Sequence, residues 1–277
     1  MKPKTSVIFG RGAVLIVLVL LALFVMMPLV WLVAATTKAP DDLFSYSFFS
    51  PRPTLQNFRD LFTLPNFDFA LYVLNSAFVT STIVVVQLFF SSLAGHALAK
   101  FQFKGKGIIT LLMLATVMIP SQVLMAPLYQ QIYRLGLMDS KWGLIIPGAV
   151  SVFGIFLFRQ AIMQVPDEML HAARIDGASE FRIYWDVVMP VSRPMIGAFC
   201  LISFMGAWNS FLWPQIVLHS SKNFTLPIGL NGLITPQNQQ YGALMAGTLL
   251  SIVPVIALFL LLQKEFIAGL TAGAVKG

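Results

Sequence analysis

Six stretches of this chain run so long with so little charge that they can only be placed at membrane depth. The first, 13–35 (AVLIVLVLLALFVMMPLVWLVAA), has no charged residue and exceeds the ~20 residues a helix needs to cross a bilayer. It is too long for a signal-peptide core and lacks a small-residue cleavage site, so it is expected to be retained. The others lie at 71–99, 107–132, 142–163, 195–218 and 241–263. Barrel strands would alternate apolar and polar residues over ~10 positions, whereas these runs are continuous, which selects helices. Composition agrees: the chain is 57% hydrophobic and 10% charged, with a mean hydropathy of +0.81, too little polar surface for a water-soluble globule. The expectation is an all-α polytopic membrane protein with six transmembrane helices in a single domain, 1–277. Prolines 28, 120, 147, 214 and 254 fall inside the runs, where kinks are expected.

Lysine and arginine set the orientation, because they stay on the cytoplasmic side of short loops. One side collects Lys2, Lys4, Arg11, Lys100, Lys104, Lys106, Arg159, Arg174, Arg182, Arg193, Lys264 and Lys276; the other keeps Lys38, Arg52, Arg59, Arg134, Lys141 and Lys222. Both termini are therefore expected in the cytoplasm. The net charge of +7 flanks membrane spans rather than forming a stripe with interleaved aromatics, so it points to lipid headgroups and not to nucleic acid. The lone Cys200 reads as a small core residue.

Two external excursions stand out. Within 36–70, TLQNFRDLF reads as a short interfacial helix with Thr54 as N-cap and Leu55, Phe58, Leu61 and Phe62 on one face. The segment 219–240, rich in Asn, Gln, Gly and Pro, reads as a long polar loop.

The most charged run is 164–194, which contains PDEMLHAARIDGASEFRIYWDVVMPVSRP. Pro166 and Asp167 suit a helix start, and Asp176 with Gly177 suits its end. Met169, Ala172, Ala173 and Asp176 share one face. A second helix is expected from Ser179, with Phe181, Tyr184, Trp185 and Val188 on one face and Arg182 paired to Asp186 on another. Pro190 and Pro194 stop it. Two short helices hinged at a glycine, with small alanines beside the hinge, would let a partner approach closely.

The spacing HAARIDG, nine residues, then VVMP resembles the cytoplasmic EAA loop of ABC importer permeases, with Ala172, Ala173, Gly177, Val187, Met189 and Pro190 matching or substituting conservatively. His171 stands where that family has Glu. The tail GLTAGAVKG, AWNSFLWP, NFTLPIGL and FQFKGKG resemble the sugar-importer branch, the second permease of maltose-type systems. The resemblance covers nearly the whole chain and implies the type I ABC importer permease fold in a bacterial or archaeal inner membrane. It implies a second homologous permease, two ATPase subunits, an extracytoplasmic solute-binding protein and a carbohydrate substrate. It implies that His171, Ala172, Ala173, Asp176, Gly177, Ala178 and Pro190 face the ATPase.

No cofactor is expected on this chain: KFQFKGKG at 100–107 has Lys100 where a phosphate loop needs its first glycine, and no strand precedes it. ATP and Mg are therefore expected on the partner ATPase. An ion-coupled transporter would keep carboxylates at membrane depth, and no Asp or Glu lies in any run. His96 and Arg159 lie near the cytoplasmic ends of their runs, where snorkelling or a headgroup contact is expected. An enzyme would need a constellation that His96, His171 and His219, on different segments, do not supply. Uncharged polar and aromatic groups are the candidates for the solute path: Gln87, Gln122, Trp208, Asn209 and Trp213, since rings stack on sugars and amides bond their hydroxyls. The same residues serve equally as interface anchors and helix glue. Asn231, Gly232 and Gln237 are the candidates for binding-protein contact.

Overall fold

The structure, a computed structural model, describes residues 5–235 and 238–271. In chain order its helices are α1 (Thr5–Thr36), α2 (Gln56–Thr63), α3 (Phe69–Lys100), α4 (Lys106–Val117), α5 (Met125–Arg134), α6 (Trp142–Ile145) and α7 (Val152–Met163). Then come α8 (Asp167–Ile175), α9 (Glu180–Ile183), a wide π-turn at Tyr184–Val188, α10 (Met189–Val191), α11 (Arg193–Trp208), α12 (Leu212–Val217), α13 (Leu226–Asn231) and α14 (Tyr241–Thr271). The strands are β1 (Ile234–Thr235) and β2 (Asn238–Gln239), paired antiparallel with Ile234 opposite Gln239.

Three of the expected spans are continuous helices long and apolar enough to cross a membrane: Val14–Thr36, Phe69–Lys100 and Tyr241–Gly269. Pro28 and Pro254 stay inside α1 and α14 without breaking them. The other three are not continuous: where kinks are expected at prolines, the helix is interrupted outright. The run 107–132 breaks between α4 and α5 around Pro120, 142–163 breaks between α6 and α7 around Pro147 and Gly148, and 195–218 breaks between α11 and α12 just before Pro214. With 12 residues, α4 reaches only about 18 Å at 1.5 Å per residue, short of a hydrocarbon core of about 30 Å. Such breaks survive at membrane depth only where protein or a cavity receives the freed backbone groups.

The described residues form two compact units. The first joins the chain up to Asp68 with Leu230–Ser251. Asn57 organises it, donating its amide to the carbonyls of Thr36 (2.9 Å) and Lys38 (2.8 Å) at the end of α1. Gly242 is needed against it, since a Cβ there would stand 2.1 Å from the Asn57 Oδ1. The buried residues of α2 are therefore Asn57 and Leu61, while Leu55 and Phe62 are exposed, which corrects the expected apolar face. Thr54 accepts from the Gln56 N–H at 3.1 Å, one residue before the position expected of an N-cap.

The second unit is Phe69–Gly229 with Ile252–Gly277. Here α3 lies against α7 and α11, and glycines bring the backbones together: a Cβ on Gly95 would meet Phe158 at 2.7 Å, and one on Gly154 would meet Phe199 at 2.5 Å. Small residues do this work in membranes, where apolar burial gives little driving force between helices. The start of the polar loop is firmly latched in this unit rather than free. Asp139 accepts from the N–H groups of His219 and Ser220, each at 2.9 Å, and from the Ser220 hydroxyl. Asn75 donates to the carbonyls of Lys222 and Phe224, and Ser76 accepts from the Leu226 N–H. The polar 219–240 segment thus contains a 3-10 turn at Ser221–Asn223, α13 and the β1–β2 ladder.

Candidate functional site

The helix breaks open two adjoining cavities in the second unit. One, about 370 Å³, is lined from α3 by Ser76, Thr80 and Gln87, from the α6–α7 break by Pro147 and Gly148, and from the α11–α12 region by Ser203, Ser210 and Trp213. Gln87 is held in place: its amide nitrogen donates to the Gly148 carbonyl at 2.6 Å, and its oxygen accepts from the Ser203 hydroxyl. It therefore satisfies the backbone freed at the break. Thr225 also lines this cavity, 5% exposed, with its hydroxyl lacking a hydrogen-bond partner. A buried hydroxyl in that condition costs free energy until something bonds it.

The second cavity, about 460 Å³, lies between the breaks after α4 and α11 and is lined by Gln122, Asn209, Ser210, Phe211 and Trp213 among others. Asn209 ends α11 and donates its side-chain amide to the Met205 carbonyl at 2.9 Å, leaving its oxygen as acceptor. Trp213 borders both cavities, its ring fixed by donation to the Gly143 carbonyl at 3.1 Å. Neither lining includes a charged side chain.

Of the residues expected on the solute path, Gln122, Asn209 and Trp213 thus meet in one cavity, and Gln87 lies in its neighbour. Trp208 lines neither; it is 4% exposed and stacked on Phe204 at 5.4 Å. Thr80 and Ser203 escaped sequence reasoning because single hydroxyls in apolar helices carry no spacing signal, and Thr225, just before α13, because nothing local marks one hydroxyl in a polar segment. Asn231 and Gly232 are exposed, and Gln237 lies outside the described residues.

The charged loop forms as its sequence dictates. Pro166 precedes α8, and Asp167 and Glu168 occupy its positive first turn. Gly177 ends it at φ +82°. The Gly177 N–H donates to the Arg174 carbonyl and the Ala178 N–H to that of Ala173, both at 3.0 Å, the paired closure of a Schellman turn. A Cβ on Gly177 would meet nothing within 4 Å, so glycine is required there by backbone angle and not by space between helices. Ser179 caps α9 by accepting from the Arg182 N–H at 3.3 Å.

Arg174 grips Glu180 across the hinge with two bonds, 2.7 Å and 3.2 Å. That bonding holds the Glu180 carboxyl below its ordinary value. His171 sits beside the pair, its Nδ1 3.5 Å from Arg174. Leu170, Ile183 and Val188 are buried with Phe158 and Phe199, and Ala173 and Ala178 pack on that cluster. The face left outward is Met169, Ala172, Ile175, Asp176, Phe181 and Trp185, so the expected faces are split: Ala173, Tyr184 and Val188 turn inward. Pro190 is exposed, and Met189 is buried. His96 is not at a snorkelling position. It is buried edge-on against Phe101 at 5.5 Å and beside Tyr184 at 5.6 Å.

Comparison with known proteins adds what geometry cannot. The arabinooligosaccharides transport system permease protein AraQ of Halalkalibacterium halodurans is 39% identical over 281 residues, covering 100% of both chains. The protein of the same name from Bacillus subtilis is 38% identical over 279 residues, covering 99% of this chain and 98% of its own. The sn-glycerol-3-phosphate transport system permease protein UgpE of Yersinia enterocolitica is 35% identical over 204 residues, 73% of each. In fold, the chain matches a bacterial ABC transporter involved in import of the acidic polysaccharide alginate, with TM-score 0.83 and 22% identity over 96% of this chain and 99% of that one. The family described as "binding-protein-dependent transport system inner membrane component" matches residues 87–270. Broken helices around uncharged cavities, a hinged charged loop and these likenesses agree: the chain belongs to the family of binding-protein-dependent transport system inner membrane components, as a transport permease.

Proposed function

We propose that this chain lines the path of a neutral sugar or oligosaccharide in an ATP-driven importer. It works beside a second, homologous permease, receives solute from an extracytoplasmic binding protein and docks on ATPase subunits that hydrolyse ATP with Mg. Both termini face the cytoplasm, as the Lys and Arg asymmetry supports. The outward face of α8 and α9 around Gly177 contacts the ATPase, and the exposed Asn231 and Gly232 at the end of α13 face the binding protein, with Gln237 beyond them.

The observation that carries the sugar reading is the chemistry of the two cavities. They offer an indole ring, amides and hydroxyls and no charge, which suits a polyhydroxylated ring. A phosphorylated solute of the kind named for UgpE, or an acidic one of the kind named for the alginate importer, calls for arginine, lysine or a helix N-terminus aimed at the anion. The complete transporter in proteoliposomes tests this. Uptake of a neutral pentose or hexose oligosaccharide should saturate and should fall about tenfold in Gln87→Leu, which leaves the Gly148 carbonyl and the Ser203 hydroxyl unpaired beside the cavity. Uptake of glycerol 3-phosphate in place of every neutral sugar tried would overturn the reading.

A further inference from the structure

We propose that α3 is the lever joining the solute cavities to the hinged loop, and that Lys100 is the positioning residue that fastens it. This rests on the reading that the loop docks on an ATPase. Of the helices lining the larger part of the first cavity, α3 alone is unbroken; those from the α6–α7 and α11–α12 regions are interrupted beside it. Ser76, Val79, Thr80, Ile83 and Gln87 recur at helical spacing, so one face of α3 follows the cavity. The 13 residues from Gln87 to Lys100 carry the same unbroken helix a further ~20 Å to the loop.

There α3 is tied to both arms of the loop. Lys100, its side chain only 7% exposed, donates to the Asp167 carboxylate at 2.7 Å and to the Val165 carbonyl. Val165 and Asp167 flank Pro166, where α8 begins. Eight residues earlier, Ser92 shares a hydrogen bond of 2.6 Å with the hydroxyl of Tyr184 in the π-turn after α9. Between the two ties Gly95 lies directly on Phe158 of α7. A displacement of either arm about Gly177 must therefore move α3. An intact helix transmits that movement, whereas interrupted ones absorb it at their breaks.

Two features mark Lys100 as positioning rather than merely stabilising. An amine withdrawn from water needs compensation, and among the described residues Lys100 finds it in the first residues of the loop. Its partner Asp167 is 68% exposed, so water receives the carboxylate when the lysine is gone. Methionine, of similar length, keeps the packing and removes the tie.

The test uses the complete transporter in proteoliposomes, with ATP hydrolysis and uptake measured on the same vesicles, with and without solute-loaded binding protein. In Lys100→Met, stimulation of hydrolysis by loaded binding protein should fall about tenfold, within the usual range of coupling effects, while unstimulated hydrolysis and co-purification of the ATPase persist. Lys100→Arg should restore stimulation, because a guanidinium keeps donors for both acceptors. Normal stimulation and uptake in Lys100→Met would overturn the proposal. Should that variant fail to assemble, the exposed Asp167→Ala decides: a reduced ratio supports the lever and a normal one overturns it. Ile175→Glu, on the outward face of α8, tests docking by itself. If it leaves ATPase binding and stimulation intact, the docking reading fails whatever Lys100 does.

Discussion

Asp139 holds left-handed backbone at φ 52°, a conformation that Asp and Asn tolerate better than most residues. Its carboxylate gathers the start of the 218–226 segment. Burial works against its ionised form, but bonds from Ser220, the His219 N–H and Asn223 outweigh it and hold the acid well below its ordinary 3.8. The sign follows: this contribution is complete above 3.8, the value in the unfolded chain, and is lost as acidification passes below that toward the depressed folded value. Hydrogen exchange of the 218–226 amides, corrected for intrinsic rates, should therefore show constant protection between about pH 5 and 8. Asp139→Asn keeps the backbone preference and removes the charge, so it should raise exchange there by a cost of about 1–3 kcal/mol. Unchanged exchange would mean that Asn75 and Ser76 hold the segment alone. Nothing local in the sequence marks this latch, because Asp139 and Ser220 are 81 positions apart; the polar composition of 219–240 was legible, its anchorage was not.

At the scale of elements, the hinge between α8 and α9 was legible because every signal for it is local: a proline and acids at the start, a glycine at the turn, a serine cap after it. The breaks in the apolar runs were legible only as prolines. Pro28 lies among Met and Leu and leaves α1 intact, whereas Pro120 is followed by Ser121 and Gln122, and Pro147 by Gly148. A proline interrupts the helix where its neighbours can bond the freed backbone, and those neighbours, such as Gln87 for Gly148, come from distant sequence. The hinge carries its own prediction. At φ +82° a β-branched residue is strained by about 1–3 kcal/mol, while the site itself is open. Gly177→Val should thus leave the helices inserted but weaken ATPase co-purification and stimulated hydrolysis, with Gly177→Asn milder because Asn accepts left-handed backbone. Equal, normal coupling in both would show that the hinge angle does not matter for docking.

For the whole molecule, orientation is the property on which the functional assignments depend. Reporter fusions after Lys4, near Lys104 and after Lys276 should report cytoplasm, and fusions near Pro51, Lys141 and Asn231 should report the outside. A cytoplasmic signal at Lys141 would make α4 and α5 a re-entrant hairpin and not a broken crossing; one at Asn231 would remove the binding-protein contact from the proposed place. The contrast between α1 and the broken segments also bears on how the chain matures. None of the most apolar window of α1 is buried within the chain, against a third of that of α3, and an unbroken helix satisfies its own backbone in lipid. The first helix can therefore settle in the bilayer as soon as it is made, with no neighbour present. The segments around Pro147 and Pro214 cannot wait there alone, and their insertion becomes favourable only after α3 has arrived to receive them.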